Sequence, residues 1–128
     1  MEEEKKMKEN VIKNKSFDFA LKIVELYKRM KKQNEYVLSK QLLRAGTSIG
    51  ANVNEAEAAQ SKADFINKMS IASKEARETK YWLMLIHRSN IIDFDLTNYL
   101  SEIDEIINIL TSIVKTSQER LNNSKLKI

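Results

Sequence analysis

The sequence predicts an all-α protein folded as an antiparallel four-helix bundle, and three observations support this prediction. The chain has 128 residues, no proline and only two glycines, so it can form long helices but has little turn chemistry for β-hairpins. Apolar residues recur at the three- and four-residue spacing of amphipathic helices in four successive segments. Charged residues make up 31% of the chain and aromatic residues 7%, which is typical of helical bundles.

The first helix is expected over residues 16–32, at the start of a bundle domain that spans residues 15–123. Residues 1–14 mix Glu and Lys with few apolar side chains, so we expect a frayed or disordered arm there. Ser16 is a suitable N-cap, and Asp18 follows in the first turn, where the helix dipole favours an acid. The expected inner face consists of Phe17, Ala20, Val24, Tyr27 and Met30.

The second helix is expected over residues 35–59 and carries two parallel stripes. The apolar stripe consists of Leu38, Leu42, Ala45, Ile49, Val53 and Ala56. The polar stripe beside it consists of Gln41, Arg44, Ser48, Asn52 and Glu55. Gly46 and Gly50 interrupt this helix at a cost of about 1 kcal/mol each relative to alanine. We therefore expect another backbone to approach closely at these glycines.

The third and fourth helices are expected over residues 62–91 and 96–122, with a frayed tail at 124–128. Ser61 and Asp64 form a capping-box pattern before the third helix, and Asp95 or Thr97 is expected to cap the fourth. The core stripe of the third helix is Phe65, Met69, Ala72, Ala76, Thr79, Leu83 and Ile86. That of the fourth is Leu100, Ile103, Ile107, Leu110, Val114 and Leu121.

Apolar residues that lie beside these core stripes indicate contact with another copy of the chain. The apolar arc of the fourth helix is wider than one core needs, and Trp is favoured at protein interfaces. An alternative is that Trp82 packs under a loop of its own chain. The candidate interface residues are Ile71, Trp82, Leu85, Tyr99, Ile106 and Ile113.

Basic residues are segregated along a chain whose net charge is only +4, and this pattern has two interpretations. They are ordinary solvated helix faces, or they form a positive surface that binds nucleic acid without sequence preference. For Arg44, a structural alternative pairs its guanidinium with Glu75 or Glu78. The candidate nucleic-acid-binding residues are Lys28, Arg29, Lys31, Lys32, Arg44, Lys74, Arg77, Lys80 and Arg88.

Catalytic, metal and cofactor chemistry finds little support in the sequence. There is no cysteine, and Met84 stands where a di-iron bundle would need Glu three residues before His87, the only histidine. No glycine-rich phosphate loop or paired nucleophile is present, so we expect no enzyme, no metal and no cofactor. The N-terminal segment lacks the apolar core of a signal peptide, and no run is long enough for a membrane span, so a cytoplasmic protein is expected.

The order and spacing of one set of residues resemble the bacterial four-helix-bundle family of 23S rRNA intervening-sequence proteins, also misnamed S23 ribosomal proteins. These residues are Gln41, Leu42, Leu43, Arg44, Ala45, Ser48, Ile49, Ala51, Asn52, Glu55, Ala56, Ser61, Phe65 and Ala72. The resemblance implies a left-handed up-down-up-down bundle and a homopentamer with a central pore. One departure is Ala56, where family members often have glycine, so the second helix is expected to continue through Ala59.

Two functions remain open from the sequence. The resemblance implies kinship with the accessory variability protein of diversity-generating retroelements, a basic pentamer that binds nucleic acid and a reverse transcriptase. The first hypothesis is therefore a homo-oligomeric accessory protein that binds RNA or DNA, with a reverse transcriptase as a further partner if one is encoded nearby. The second hypothesis is a protein-interaction scaffold with no nucleic-acid role.

Overall fold

The computed structural model describes residues 2–126, and this part of the chain is all-α, as predicted. Helix α1 spans Glu2–Lys32, α2 Leu38–Glu57, α3 Lys62–Ser89 and α4 Thr97–Leu126. None of these helices is both long and apolar enough to cross a membrane.

The four helices form an antiparallel bundle in which each packs against two neighbours. Helices α1 and α3 both pack against α2 and α4, whereas the two diagonal pairs share no packing within residues 2–126. Ion pairs between adjacent helices join the start of one to the end of the next, which requires antiparallel directions. These pairs include Lys13–Glu57 at 3.0 Å, Lys68–Glu55 at 3.1 Å and Lys80–Asp104 at 2.7 Å.

The core contains the apolar stripes predicted for α2 and α3 almost unchanged. In α2, Leu42, Ala45, Ile49, Val53 and Ala56 are buried, and Leu38 packs against them from the edge. In α3 the buried residues are Ile66, Met69, Ala72, Ala76, Thr79, Leu83 and Ile86, whereas Phe65 is only partly buried. In α4 they are Ile103, Ile106, Ile107, Leu110, Ile113 and Ser117.

Helix α1 differs from the sequence prediction at its start. Residues 2–14 belong to α1 and are not a frayed arm; Met1 lies outside the described residues. Ile12 is completely buried in the core, and Lys8 donates a hydrogen bond of 3.0 Å to the hydroxyl of Ser112 on α4. The polar composition of the segment suggested disorder, but one deeply buried residue and the packing against α4 hold it in the helix.

The buried face of α1 also differs from the predicted one. The buried residues are Ile12, Ser16, Phe19, Ile23, Leu26 and Met30, so only Met30 of the predicted face belongs to the core. Phe17 is 63% exposed, and Ser16 is a buried residue in mid-helix, so it is not an N-cap. Apolar residues at helical spacing occur on two sides of α1, and only packing against α2 and α4 selects the inner one.

The ends of α2 are set by side-chain and backbone contacts. Glu35 was expected inside α2, but it lies in the loop just before the helix and is buried there. Its carboxylate accepts hydrogen bonds from the backbone N–H groups of Val37, Leu38 and Ser39 at 3.3, 3.0 and 2.7 Å. This carboxylate satisfies N–H groups that have no partner in the first helical turn. The helix ends at Glu57 and does not continue through Ala59, whose N–H bonds the carbonyl of Ala56 at 3.2 Å.

The remaining boundaries show the caps suggested by the sequence. The N–H of Asp64 donates to the Ser61 hydroxyl at 3.0 Å at the start of α3. Asp95 accepts hydrogen bonds from the N–H of Thr97 at 3.1 Å and from its hydroxyl at 2.7 Å at the start of α4. Helix α4 runs to Leu126, past the expected fraying point, and residues 127–128 lie outside the described residues.

The two glycines of α2 lie against α1. A Cβ atom on Gly50 would lie 3.3 Å from the backbone oxygen of Ser16, so the expected close approach of a backbone occurs there. A Cβ atom on Gly46 would lie 2.9 Å from both Cγ atoms of Ile23, so its close neighbour is a side chain. The absence of side chains at these positions lets α1 and α2 pack closely.

Candidate nucleic-acid surface

One end of the bundle collects basic side chains from two helices that do not touch each other. We call this group, Lys28, Arg29, Lys31, Lys32 and Arg88, the basic end. The first four lie in the last turns of α1, and Arg88 lies in the last turn of α3. The loop before α4 packs against α1 here, since the N–H of Asp93 donates to the side-chain carbonyl of Gln33 at 2.8 Å.

Local sequence explains why these residues lie at helix ends. Asn34 and Asn90 adopt left-handed backbone conformations, with φ of 62° and 55°, which Asn tolerates better than most residues. They lie just beyond α1 and α3 and help to end both helices. Cations in the last turn interact favourably with the partial negative charge of the helix C-terminus. Because α1 and α3 both end here and both carry cations in the last turn, positive charge is concentrated at this end of the bundle.

The basic end combines cations with aromatic rings. The Arg29 guanidinium lies 4.0 Å from the centre of the Phe94 ring, and the Lys31 ammonium lies 5.3 Å from that of Tyr27. Lys28 lies 3.3 Å from Glu25, which partly neutralises it. Cation–π contacts at exposed sites hold such side chains in place weakly, by about 0.5–1 kcal/mol, and leave their N–H groups available.

The predicted surface formed by Lys74, Arg77 and Lys80 is largely occupied within the chain. Lys80 forms an ion pair of 2.7 Å with Asp104 on α4, and Arg77 donates a hydrogen bond of 3.2 Å to the hydroxyl of Thr111. Lys74 is exposed. Arg77 and Lys80 therefore connect α3 to α4 more than they extend the positive surface, and the sequence could not show this because their partners lie on another helix.

Arg44 contacts both of the carboxylates named in its structural alternative. Its guanidinium lies 3.2 Å from Glu75 and also contacts Glu78, and it is half exposed. Glu78 accepts a further hydrogen bond of 3.1 Å from the indole N–H of Trp82. The nearby polar residue Asn52 donates to the carbonyl of Ser48 at 2.9 Å. Within the polar stripe of α2, Arg44 and Glu55 thus join α2 to α3, whereas Asn52 bonds within its own helix.

The structure corrects the predicted interface on α4. Ile106 and Ile113 are buried in the core of their own chain, so they offer no surface to a second copy. They were misassigned because α4 faces both α1 and α3 and needs a wide apolar arc. Ile71, Trp82 and Tyr99 are partly buried, and Leu85 is 38% exposed, so these four can still contribute to an interface.

The opposite end of the bundle holds an open cavity of about 730 Å³ between the start of α1, the α2–α3 turn and the end of α4. Arg120 lies at its wall, with Nη1 buried and 3.5 Å from the carboxylate of Glu2. Within residues 2–126 no group of His, Asp and Glu side chains is arranged to hold a metal ion. Lysines and glutamates both line this cavity, so it has no strong preference for ligand charge.

Two shifted pKa values arise from pairing at the surface. Hydrogen bonds from the hydroxyl and then the N–H of Thr97 lower the pKa of Asp95. A hydrogen bond to Glu102 raises the pKa of Lys22. Both groups are exposed and serve helix capping or pairing between α1 and α4, so neither indicates acid–base catalysis.

Comparisons with known proteins place the chain in a family. The family model described as 23S rRNA-intervening sequence protein matches residues 8–112. A crystal structure of a protein with unknown function from the S23 ribosomal protein family of Bacteroides thetaiotaomicron is 54% identical, with a TM-score of 0.81 over 84% of this chain and 98% of that chain. A search of curated proteins finds no match. The resemblance inferred from the sequence is confirmed: this protein belongs to the 23S rRNA-intervening sequence protein family.

Proposed function

We propose that this protein is a non-enzymatic, homo-oligomeric accessory protein that binds nucleic acid through the basic end. The observation that supports this proposal is that Lys28, Arg29, Lys31 and Lys32 lie at the same end of the bundle as Arg88, although the two helix ends are nearly sixty residues apart in sequence. Arg29 and Lys31 contact aromatic rings. Arg44 and Lys80, by contrast, form ion pairs with carboxylates of other helices.

Electrostatic contact with phosphates is the mode of binding that these residues support. Lys and Arg bind phosphate oxygens without reading base sequence, and each contact releases counterions and adds salt dependence. Exposed Tyr36 beside the basic end offers a ring on which an unpaired base can stack. The bundle presents no element shaped to enter a groove and read bases there, so we expect sequence-tolerant binding.

RNA is the first ligand to test, because the family description names an intervening sequence of 23S rRNA. Oligomerisation would repeat the basic end once per chain and so strengthen binding by multivalency. The family resemblance implies a ring of five chains, and the mass of the assembly in solution tests that prediction. A reverse transcriptase encoded beside the gene is a further partner to examine.

The test compares two triple variants with the same net charge. In the first, Lys31→Glu, Lys32→Glu and Arg88→Glu reverse charges at the basic end. In the matched control, reversals at exposed lysines elsewhere lower the net charge equally; these are Lys6→Glu, Lys62→Glu and Lys115→Glu. Binding of nuclease-treated protein to structured RNA and duplex DNA is measured across a salt series.

We expect the basic-end variant to lose affinity on the order of tenfold or more, and the control to lose much less. The slope of log affinity against log salt should fall by about 0.7–0.9 for each phosphate contact removed. Equal losses in both variants would assign binding to net charge alone and contradict a localised site. An absence of binding by the unmodified protein at low salt would end the nucleic-acid proposal.

A protein-interaction scaffold is the second candidate, and one observation favours it. Arg44 and Lys80 are neutralised by Glu75, Glu78 and Asp104, so the long sides of the bundle are not strongly basic. If RNA and DNA both fail to bind, we expect these helix faces to contact another protein instead. Affinity capture with the unmodified protein and with the Arg44→Ala variant would then show whether a protein partner contacts the face of α2 that carries Arg44.

A further inference from the structure

Two adjacent sides of the bundle carry exposed apolar side chains, whereas the outward face of α4 is polar from Ser101 to Glu119. On the side formed by α1 and α2, Phe17 and Leu21 are 63% and 54% exposed. On the side formed by α2 and α3, Leu85 is 38% exposed. The outward positions of α4 recur three and four residues apart. They are Ser101, Glu105, Asn108, Ser112, Lys115 and Glu119.

The side formed by α1 and α2 is a groove with a low floor. A cavity of about 520 Å³ is lined by Phe17 of α1 and by Gly50 and Ala51 of α2, among others. The floor is low because Gly50 has no side chain and Ala51 has only a methyl group. Phe17 and Leu21, one turn apart, leave on the order of 200 Å² of apolar surface exposed, which is about half of the apolar area that each partner buries in a standard interface. We call Phe17, Leu21, Gly50 and Ala51 the groove face.

The side formed by α2 and α3 carries larger side chains, and it follows the flank of α3. Ile71, Trp82 and Leu85 recur at helical spacing on this flank, and the first two are partly buried. The indole N–H of Trp82 donates to Glu78 at 3.1 Å, and Glu78 also contacts Arg44 of α2, so the indole is held towards α2. We call Ile71, Trp82 and Leu85 the ridge face.

The two faces complement each other better than either complements its own copy. A recess floored by glycine and alanine fits the larger side chains of the ridge face, and Trp is among the residues that dominate binding energy at protein interfaces. We propose that the ridge face of one chain enters the groove face of the next, in a head-to-tail contact. This inference rests on the homo-oligomeric part of the proposed function and names the two surfaces that form the assembly.

The two faces lie at the same level along the bundle. A Cβ atom on Gly50 would lie 3.3 Å from the backbone oxygen of Ser16, so Phe17 is level with Gly50. Ion pairs between α2 and α3 place Ile71 at the level of Gly50 as well. Chains of a closed ring are related by rotation without a shift along the ring axis. When that axis runs along the bundle, Ile71 of one chain therefore meets Phe17 of the next.

The positions of the two faces around the bundle set the number of chains. Adjacent sides of a four-helix bundle meet at roughly a right angle, so head-to-tail contact turns each chain by roughly 70–90° relative to its neighbour. Such a ring closes at about four or five chains, in agreement with the five chains that the family resemblance implies. Helix α2, which both sides share, then lines the centre of the ring, and the polar face of α4 is outside.

This contact leaves the basic end free. Phe17 lies about 22 Å along α1 from Lys32, and the contact follows the long sides of the bundle. All chains of such a ring point in the same direction. Their basic ends therefore lie on one face of the ring, where they can contact one nucleic acid together.

The first test measures the mass of the assembly by light scattering for two double variants and the unmodified protein. Phe17→Gln with Leu21→Gln alters the groove face, and Ile71→Gln with Leu85→Gln alters the ridge face. Circular dichroism shows whether each variant keeps its helix content. Each variant is measured alone and in an equimolar mixture with the other.

The matched control changes two exposed apolar residues in the loops at the end of the bundle. It is Val37→Gln with Ile91→Gln, at positions 72% and 47% exposed. We expect about four or five chains for the unmodified protein and the control, and monomers for the groove and ridge variants. Their mixture should form a dimer, because one intact groove face then meets one intact ridge face. Fewer than four chains in the unmodified protein, or a mixture that stays monomeric, would overturn the contact.

A disulfide test examines the same contact without dissociating the assembly. The chain has no cysteine, and Phe17 and Ile71 lie on helices that do not touch, so thiols at these positions cannot bridge within one chain. Mild oxidation of Phe17→Cys with Ile71→Cys should give a ladder of covalent multimers that ends at the closed ring. Neither single variant should cross-link. A covalent dimer of a single variant, or no ladder in the double variant, would contradict the head-to-tail contact.

RNA binding measured on the same samples separates this proposal from the nucleic-acid role. The groove variant should bind structured RNA tenfold or more weakly than the ring, because multivalency is lost while its basic end remains. A ring that binds no RNA would contradict the nucleic-acid role and leave the contact standing. A monomeric unmodified protein that binds RNA would overturn the contact and leave the nucleic-acid role standing.

Discussion

Replacing Gly46 with alanine adds one methyl group at a point where α1 and α2 have no space for it. The new Cβ would lie 2.9 Å from both Cγ atoms of Ile23, which is completely buried. Ile23 cannot rotate away easily, because β-branched side chains strongly prefer one rotamer in a helix. Such overpacking costs about 1–3 kcal/mol. Alanine restores about 1 kcal/mol of helix propensity, so we expect net destabilisation of about 1 kcal/mol.

Gly50→Ala is the matched control on the same helix. Its Cβ would lie 3.3 Å from the Ser16 oxygen, a tight contact that a shift of a few tenths of an ångström relieves. The gain in helix propensity should roughly balance that shift, so Gly50→Ala should be near neutral. Unfolding is followed by circular dichroism in denaturant at one fixed protein concentration, since self-association changes apparent stability. A difference of 1 kcal/mol corresponds to about 3–5 °C in Tm for a chain of this size.

A double-mutant cycle identifies Ile23 as the cause. Ile23→Ala removes both Cγ atoms, and in that background Gly46→Ala should become stabilising by about 1 kcal/mol. The reasoning would be refuted if Gly46→Ala stabilised the unmodified protein by that amount, or if its effect were the same in both backgrounds. Either result would mean that the two helices are not in close contact at Ile23.

Three further predictions concern the start of α1 and two caps. Ile12→Ala should lower the free energy of unfolding by about 2–4 kcal/mol, because it leaves a cavity in the core; an effect near zero in the same denaturation assay would mean that residues 2–14 do not pack as a helix. Glu35→Ala should cost about 1–2 kcal/mol through the loss of the α2 cap, whereas Glu25→Ala, an exposed control, should change stability by less than about 0.5 kcal/mol. Hydrogen bonds from Thr97 lower the pKa of Asp95 in the folded protein below its ordinary value of 3.8. The ionised carboxylate therefore contributes to stability above pH 3.8, and this contribution is lost as the pH falls through the pKa of the folded state. The stability difference between the unmodified protein and Asp95→Asn should therefore shrink as the pH is lowered below 3.8, and a constant difference in thermal unfolding at each pH would contradict this assignment.

The residue types of the candidate site were predictable from the sequence, but the ion pairs between helices were not. The sequence marks Lys31 and Lys32 as basic, and helix-end preferences explain their place in the last turn of α1. It does not reveal that Lys80 faces Asp104, because ion pairs between helices depend on the relative register of two segments. Whether the basic end binds nucleic acid stays a prediction.

The number of helices and the buried faces of α2 and α3 were determined by the sequence itself. In each of these helices most of the apolar residues lie on one face. The face with the largest apolar area in the single helix is therefore also the face that the bundle buries. The caps formed by Ser61 and Asp95 were predictable for a related reason, since each partner lies within a few residues along the chain.

The face of α1 that enters the core was decided only by the tertiary structure. Phe17 and Phe19 are both apolar and lie on different sides of the helix, so local periodicity favours neither strongly. Phe19 is buried because Ile12, Ile23 and Leu26 share its side and fit against α2 and α4. Phe17 is consequently left at the surface, because the free energy of the fold depends on the packing of all four helices together and not on the hydrophobicity of one residue.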